Sequence, residues 1–277
     1  MGINTVTAGN LPAPGTLLYL DYFQSAAMPV MHGADGSAMP VDFNLRAVTN
    51  AARLLYTWKA PSIGGLKLST GVVAPLVDLS ARLAGYGGSD WGVADLDLQN
   101  YLGGSNSSHT VFYFVGVDLS LPTGHYSRGA AANVGLNHYS VSPNVGVTWM
   151  PSRTLELTGA ASAEVNTVNP ATRYLSGTTL DIDYAATYRP LPSVPQLGLG
   201  LQGYVLEQIS DDMRDGATAG PDGNRSQEFG FGPQLRWDTP AGGVSLKYQR
   251  VFGAQNRASG DKLWVEFCLP LVIGAPM

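Results

Sequence analysis

The alternation that settles the fold class runs through Gly177-Thr178-Thr179-Leu180-Asp181-Ile182-Asp183-Tyr184-Ala185-Ala186-Thr187-Tyr188-Arg189. One parity of this segment holds leucine, isoleucine, tyrosine, alanine and tyrosine, whereas the other holds threonine, aspartate, aspartate, alanine, threonine and arginine. A period of two indicates a β-strand with one apolar and one polar face. The segment is far longer than the about five or six residues of an ordinary strand. A tilted strand that crosses a membrane needs about 9–11 residues, so the segment predicts a membrane-spanning strand.

The composition agrees with a wall that faces lipid. Only 13% of the 277 residues are charged, against roughly 25% in an ordinary soluble domain. No apolar run reaches the about 18 residues that a membrane helix needs, which excludes helical spanning. With a net charge of −5 the chain has no basic patch for phosphates, so we expect no nucleic-acid partner. The single cysteine, Cys268, excludes a disulfide framework and is expected to be an inert packing residue.

The beginning of the chain differs from the rest. Residues 1–15 are rich in glycine, proline and asparagine and show no periodicity, so they predict an arm that can enter the lumen of a barrel. Residues 16–277 are predicted to form a single transmembrane barrel. Met1-Gly2-Ile3-Asn4-Thr5 has neither the basic nor the apolar region of a signal peptide, and we expect that such a peptide has been removed.

The same alternation recurs along the chain and predicts twelve strands, an even number that suits a closed antiparallel barrel. The predicted strands are Thr16–Ala26, Val41–Lys59, Leu66–Leu79, Trp91–Leu102, His109–Leu121, Tyr139–Met150, Leu155–Asn166, Gly177–Arg189, Leu197–Ile209, Gln227–Trp237, Val244–Ala254 and Lys262–Ile273.

The predicted connections fall into two classes. Short turns are expected at Pro61–Gly65, Gly103–Ser108, Pro151–Arg153, Pro190–Pro195 and Thr239–Gly243. The connections at 28–40, 80–90, 122–138, 167–176, 211–226 and 255–261 are mostly longer. Short periplasmic turns that alternate with longer outer loops are typical of an outer-membrane β-barrel, whereas soluble sandwiches and propellers rarely show the two classes.

Several short motifs in the second half of the chain carry a family resemblance. They are Pro122-Thr123-Gly124-His125-Tyr126, Asn133, Asn137, Arg173-Tyr174-Leu175-Ser176-Gly177, Gly203-Tyr204, Glu207-Gln208, Asp211-Asp212, Gly232-Pro233, Gln255-Asn256-Arg257 and Gly260-Asp261. In this order and spacing they resemble the outer-membrane proteins named after the meta-pathway of phenol degradation. The resemblance runs from about residue 91 to the end and is strongest over 122–267. It implies a channel for small hydrophobic molecules, such as aromatic growth substrates, in a biodegrading Gram-negative bacterium.

Candidate residues for the solute path lie on the parity that faces away from lipid. They are Phe112, Phe114, Asp181, Asp183, Tyr204, Gln208, Glu228, Arg236 and Trp264. Inward aromatic side chains suit apolar solutes, but in a barrel of twelve strands they can also simply fill the interior. The inward charges can likewise set solute preference, or form a ladder with Glu156 and Glu164 in which they neutralise one another.

Three other functions stay open at this point. His138 and Ser140 stand two residues apart, as a base and a nucleophile would, and resemble the His-x-Ser element of the outer-membrane phospholipase. That family continues with Asn-Gly, whereas here Val141-Ser142-Pro143 follows. A calcium site formed by the acidic residues of loop 211–226 is the second alternative. Their spacing fits no EF-hand, and we expect a solvated acidic loop. A structural or adhesive barrel that acts through this loop is the third alternative.

These observations predict a monomeric outer-membrane channel for passive uptake of small hydrophobic molecules, surrounded by membrane lipid and lipopolysaccharide. The mechanism requires no cofactor, no metal and no covalent chemistry.

Overall fold

The structure is a computed structural model, and it describes residues 1–60 and 62–272. The strands of the described residues are β1 (Leu17–Met31), β2 (Phe43–Thr57), β3 (Lys67–Leu83), β4 (Tyr86–Val93), β5 (Leu96–Ser105), β6 (Val111–Leu121), β7 (Ser140–Trp149), β8 (Leu155–Asn166), β9 (Tyr174–Leu175), β10 (Thr179–Tyr188), β11 (Leu197–Gln208), β12 (Met213–Arg214), β13 (Ala217–Thr218), β14 (Gln227–Thr239), β15 (Gly242–Gln255) and β16 (Ala258–Val272).

The long strands form one closed antiparallel barrel. Each strand pairs with its neighbours in the chain, and β1 closes the ring by pairing with β16. Strands β4 and β5 occupy one position, because both pair with β3: β4 with its second half and β5 with its first half. The barrel therefore has twelve strand positions, which confirms the predicted fold class and strand number. The three short strands β9, β12 and β13 form a small separate sheet in the loops.

Two predicted loops are wrong in length. The connection expected at 80–90 is a turn of two residues, Ala84 and Gly85, between β3 and β4. Both residues have positive φ, at 50° and 84°, which gives the tight reversal of a two-residue hairpin. The glycines at 87 and 88 concealed this strand, because they add no side chains to the alternation. Likewise the connection expected at 255–261 is the pair Asn256 and Arg257 between β15 and β16.

One predicted strand is interrupted. The strand expected over Trp91–Leu102 breaks at Ala94 and Asp95, where the Ala94 amide donates to the Pro75 carbonyl. Beyond this break β4 pairs with β3 alone, and loop residues 122–139 pack along its other side. Pro61 of the first predicted turn and Ile273 of the last predicted strand lie outside the described residues.

The two faces of each strand differ as the alternation predicts. Outward positions are apolar and exposed, as for Leu201 at 55% and Leu271 at 56%, whereas the inward Tyr204 is fully buried. At the end with the short turns the outward face carries aromatic side chains, at Tyr56, Trp58, Trp149, Tyr188 and Trp237. An apolar band with an aromatic girdle is what a lipid-facing wall requires. None of the described residues belongs to a helix with the length and apolarity needed to cross a bilayer.

Candidate functional site

The first residues of the chain lie inside the ring of strands. Their backbone amides donate to inward side chains of three neighbouring strands: Asn4 to Asp183 at 2.7 Å, Ala8 to Thr158 at 2.9 Å and Gly9 to Thr148 at 3.0 Å. Asp183 also accepts the Gly2 amide. An arm without secondary structure satisfies its backbone donors in this way, because buried amides without partners are costly. The arm therefore has specific partners on β7, β8 and β10.

Lys247 of β15 holds the arm from the other side. Its side chain is fully buried, and its Nζ donates to the Gly2 carbonyl and to Thr5 Oγ1, both at 2.9 Å. The same nitrogen forms an ion pair with Glu266, whose other oxygen accepts from Ser245. A buried ammonium group needs a counter-charge and several acceptors. Lys247 obtains both, and this ties the arm to the wall at β15 and β16.

The remaining inner side chains on this side of the barrel form ion-pair networks. Tyr204 donates to Glu228 at 2.7 Å and accepts from Lys262 at 2.6 Å. Arg257 completes the group with an ion pair to Glu228 at 2.6 Å. Closer to the short turns, Arg236 forms an ion pair with Glu156 at 2.6 Å. Because an unpaired buried charge is costly, these pairs allow charged side chains to lie inside the barrel.

The opposite side of the lumen is open. A cavity of about 900 Å³ lies between the arm and strands β1 to β10, and Arg236 of β14, Ser245 of β15 and Glu266 of β16 line its end at the short turns. Its apolar wall comes from inward side chains of β1, β2 and β3 and from Phe114 of β6. The residues from the first three strands are Leu18, Leu20, Tyr22, Leu55, Val73, Pro75 and Val77. Ile3, Val6 and Leu11 of the arm also line it. The volume and the apolar lining are those of a site for small organic molecules.

The other wall of the cavity is polar. It is built from inward side chains of β5 to β10, namely Asp97, Gln99, Asp118, Ser120, Ser140, Ser142, Asn144, Ser162, Glu164, Thr179 and Asp181. Adjacent strands place these positions side by side, as Gln99 opposite Asp118 and Ser162 opposite Asp181. Asp118 accepts a hydrogen bond from Tyr101 at 2.7 Å. The cavity thus presents an apolar wall opposite a wall of carboxylates and hydroxyls.

The nine candidate residues divide between these regions. Phe114, Asp181, Asp183 and Arg236 line the cavity. Tyr204 and Glu228 belong to the ion-pair network, and Trp264 donates to Gln249 at 2.8 Å beside the arm. Gln208 donates to Asp212 at 2.8 Å beneath the loops. Phe112 shares the inward face of β6 with Phe114 but is not among the residues that line the cavity.

Sequence reasoning did not select most of the cavity wall. The apolar residues on β1 escaped selection because both parities of this strand are apolar near its start, so alternation alone could not say which parity faces inward. The signal for the polar wall was present, since Asp95, Asp97 and Gln99 share one face of a strand. Its extension across five strands depends on register, which a single sequence does not give.

His138 and Ser140 have separate partners. Ser140 Oγ donates to Asn166 at 2.7 Å, and His138 Nδ1 lies 3.3 Å from the Tyr139 carbonyl. A base that activates a nucleophile has to lie within hydrogen-bond reach of it. In the part of the chain that the structure describes, no group of three or more His, Cys, Asp or Glu side chains is arranged to hold a metal ion.

The motifs that carry the family resemblance lie mainly in the long loops. Asp212 accepts from the Tyr174 hydroxyl, from the Gly177 amide and from Gln208, which joins loops 167–178 and 209–226. Burial, together with the bond to Asp212, raises the pKa of the Tyr174 phenol above its usual range. Gly124 fits against Gly135 and Ala94, where a side chain would meet backbone atoms below 3.0 Å. These residues build the cap over the barrel.

The fold places the chain among the antiparallel barrels of outer-membrane proteins. Its structure is similar to that of an outer membrane channel from Pseudomonas putida F1, with a TM-score of 0.81, 18% identity and coverage of 95% of this chain and 97% of that one. It is also similar to the β-domain of the Bordetella autotransporter Brka, with a TM-score of 0.58, 8% identity and coverage of 93% and 100%. At these identities the likeness concerns the fold.

A family model assigns the chain more narrowly. Residues 31–267 match the family described as MetA-pathway of phenol degradation, and the chain belongs to this family. The match confirms the resemblance read from the short motifs. No curated protein sequence matches the chain.

Proposed function

We propose that this protein is a passive channel for small hydrophobic, mainly aromatic, molecules in the outer membrane of a Gram-negative bacterium. The observation that carries the proposal is the cavity of about 900 Å³ beside the arm, with an apolar wall on β1 to β3. An apolar solute that enters this space loses its contact with water, which favours entry. The apolar side chains of the lining bind an apolar solute only weakly. Weak binding allows the solute to leave the channel again.

The family and the fold support the same proposal. The family is described by a pathway of phenol degradation, and the similar structure from Pseudomonas putida F1 is an outer membrane channel. In this account the protein acts as a monomer in contact with membrane lipid and lipopolysaccharide. Transport needs no cofactor, because the solute is only moved and no bond is changed.

Uptake by whole cells tests the proposal. A labelled alkylbenzene is supplied to cells with an intact outer membrane, with and without the protein, and phospholipid breakdown is followed in the same cells. Faster uptake with intact lipids is the expected result, because lipopolysaccharide otherwise slows apolar solutes. Unchanged uptake with released fatty acid would contradict the channel and would point to His138 and Ser140. If neither readout changed, a structural or adhesive barrel would replace the channel.

Two phenylalanines on one strand provide a matched pair of variants. Phe114 lines the cavity and Phe112, two residues away on the same face, does not. We expect Phe114→Asp to slow alkylbenzene uptake several-fold, because a carboxylate brings water into the apolar wall. Phe112→Asp is expected to have a much smaller effect. Equal uptake by Phe114→Asp and the unchanged protein would remove the aromatic wall from the solute path.

A further inference from the structure

The polar wall of the cavity carries carboxylates that the barrel does not neutralise. Glu164 lines the cavity and makes no hydrogen bond or ion pair with any described residue. Among the described residues, Asp97 has only the Ser120 hydroxyl as a hydrogen-bond partner. Asp181 lies 3.8 Å from the Met1 amino nitrogen through Oδ2, and its Oδ1 is buried without a partner among the described residues. Three acidic side chains therefore face the open space with little compensation.

Two of the three arginines that line the cavity form ion pairs. Arg236 forms ion pairs with Glu156 and Asp238, and Arg257 forms one with Glu228. Arg53 forms no ion pair with a described residue. It donates to the Tyr22 hydroxyl at 3.2 Å, its guanidinium lies 5.6 Å from the centre of the Tyr101 ring, and its Nε is buried without a partner in the described part of the chain.

The three acids lie nearer to one end of the cavity than to the other. Asp97 is the second residue of β5, Glu164 is two residues from the end of β8, and Asp181 is the third residue of β10. All three strand ends point to the side with the long loops, which faces the exterior in barrels of this kind. The apolar residues Leu18 and Leu55 lie near the other end. A solute from outside thus meets the acids opposite the outer part of the apolar wall, because Val73 pairs with Asp97, and Pro75 and Val77 lie further towards the long loops.

A second observation points to a polar group on the solute. Gln99 is only 7% exposed, lines the cavity, and has no hydrogen-bond partner for its Oε1 among the described residues. Asn144 Oδ1, on the same wall, is also buried without a hydrogen-bond partner among the described residues. Buried polar atoms without partners are costly unless a ligand or water supplies the missing bond. Carboxylate and amide oxygens are acceptors, so the missing partner is a donor.

We propose that the cavity is selective for small organic cations, namely an arylalkylammonium group joined to an apolar body. This inference rests on the proposed channel function and names the class of solute that the channel prefers. An ammonium group supplies three donors, which can bind one of these acids and the polar oxygens beside it. The aromatic body then enters the space between Tyr22, Phe114 and the apolar wall.

The charge arrangement also defines what is excluded. An arylcarboxylate of the same size meets Asp97, Glu164 and Asp181 at the mouth and is repelled. We expect protein-dependent uptake of the cation to be at least tenfold faster than that of the anion, which corresponds to about 1.4 kcal/mol.

Three probes with one carbon skeleton test the selectivity: 2-phenylethylamine, 2-phenylethanol and phenylacetate. Their uptake is measured in cells with an intact outer membrane, with and without the full-length protein, so that the protein-dependent part is obtained for each probe. The test variant is Glu164→Gln, which has the same shape and breaks no hydrogen bond or ion pair. The control variant is Asp42→Asn, which removes one exposed loop charge paired with Arg82. Asp97→Asn is a second test variant at an independent position.

Protein-dependent uptake is expected to be fastest for the amine and slowest for the carboxylate. Glu164→Gln and Asp97→Asn should each lower the ratio of amine to alcohol uptake, whereas Asp42→Asn should leave it unchanged. Equal uptake of amine and alcohol, or a ratio that neither test variant changes, would overturn the cation selectivity and leave the channel in place. If the protein raised uptake of none of the three probes, the channel and its selectivity would both fail.

Discussion

The two sides of the lumen are built from the same alternating strands, but one is solid and the other is open. Along β11, β14, β15 and β16 the inward side chains are long and charged, and they bind one another or the arm. Along β1, β2 and β3 many inward side chains are apolar and line the cavity, and Lys67 at the start of β3 donates to the Leu11 carbonyl of the arm at 2.8 Å. The comparison teaches that side-chain chemistry on the inner face decides where the arm lies and so where a solute can pass.

The division also explains why a barrel of this size can keep a channel. Inward side chains can fill much of a barrel with few strands. Here the arm takes most of its hydrogen bonds from β7, β8, β10 and β15, at Thr148, Thr158, Asp183 and Lys247, and a cavity remains beside it. The cavity of about 900 Å³ is the space that results.

The largest expected effect is on the solid side, at Lys247. In Lys247→Met the arm loses its ammonium donor, and Glu266 stays buried without a counter-charge. Removing one partner of a buried ion pair costs about 3–5 kcal/mol, so the free energy of unfolding in urea should fall by this amount. The double variant Lys247→Met with Glu266→Gln should regain most of the stability. If the single variant unfolded like the unchanged protein, the arm would not depend on this ion pair.

A smaller effect is expected where the solid side is tightest. A Cβ on Gly230 would lie 2.0 Å from the ring of Tyr204, which is fixed by Glu228 and Lys262. Gly230→Ala should therefore lower the free energy of unfolding by about 1–3 kcal/mol, as overpacking does. Urea titration of the refolded barrel measures it. An unchanged midpoint would mean that Tyr204 can move and that this side is looser than the contacts indicate.

The smallest effect on stability is expected on the open side. Val77 faces the cavity, so the added volume in Val77→Phe enters empty space, and the free energy of unfolding should change by less than about 1 kcal/mol. Alkylbenzene uptake should nevertheless fall, because the passage narrows. A loss of stability as large as that of Gly230→Ala would contradict the contrast between the two sides.

Much of the barrel could be predicted from the sequence, because strand alternation is a local property. The outward leucines and aromatics of β10, β11 and β16 and the total of twelve strand positions follow from it. The turn at Ala84 and Gly85 did not, since glycines beside it remove the periodic signal. Nor could the paired walls of the cavity be predicted, because they depend on strand register and on the side that the arm selects.

The central claim is that the arm fills one side of the lumen and leaves a water-accessible cavity on the other. Accessibility to a small, membrane-impermeant thiol reagent tests it most directly, in a Cys268→Ser background that removes the one native thiol. Thr187→Cys places a thiol on the inner face of β10, where Thr187 is 1% exposed and does not line the cavity, and Ser162→Cys places one in the cavity wall on β8. The account predicts rapid labelling of Ser162→Cys and little labelling of Thr187→Cys. Equal labelling of both, or labelling of Thr187→Cys alone, would contradict the division of the lumen.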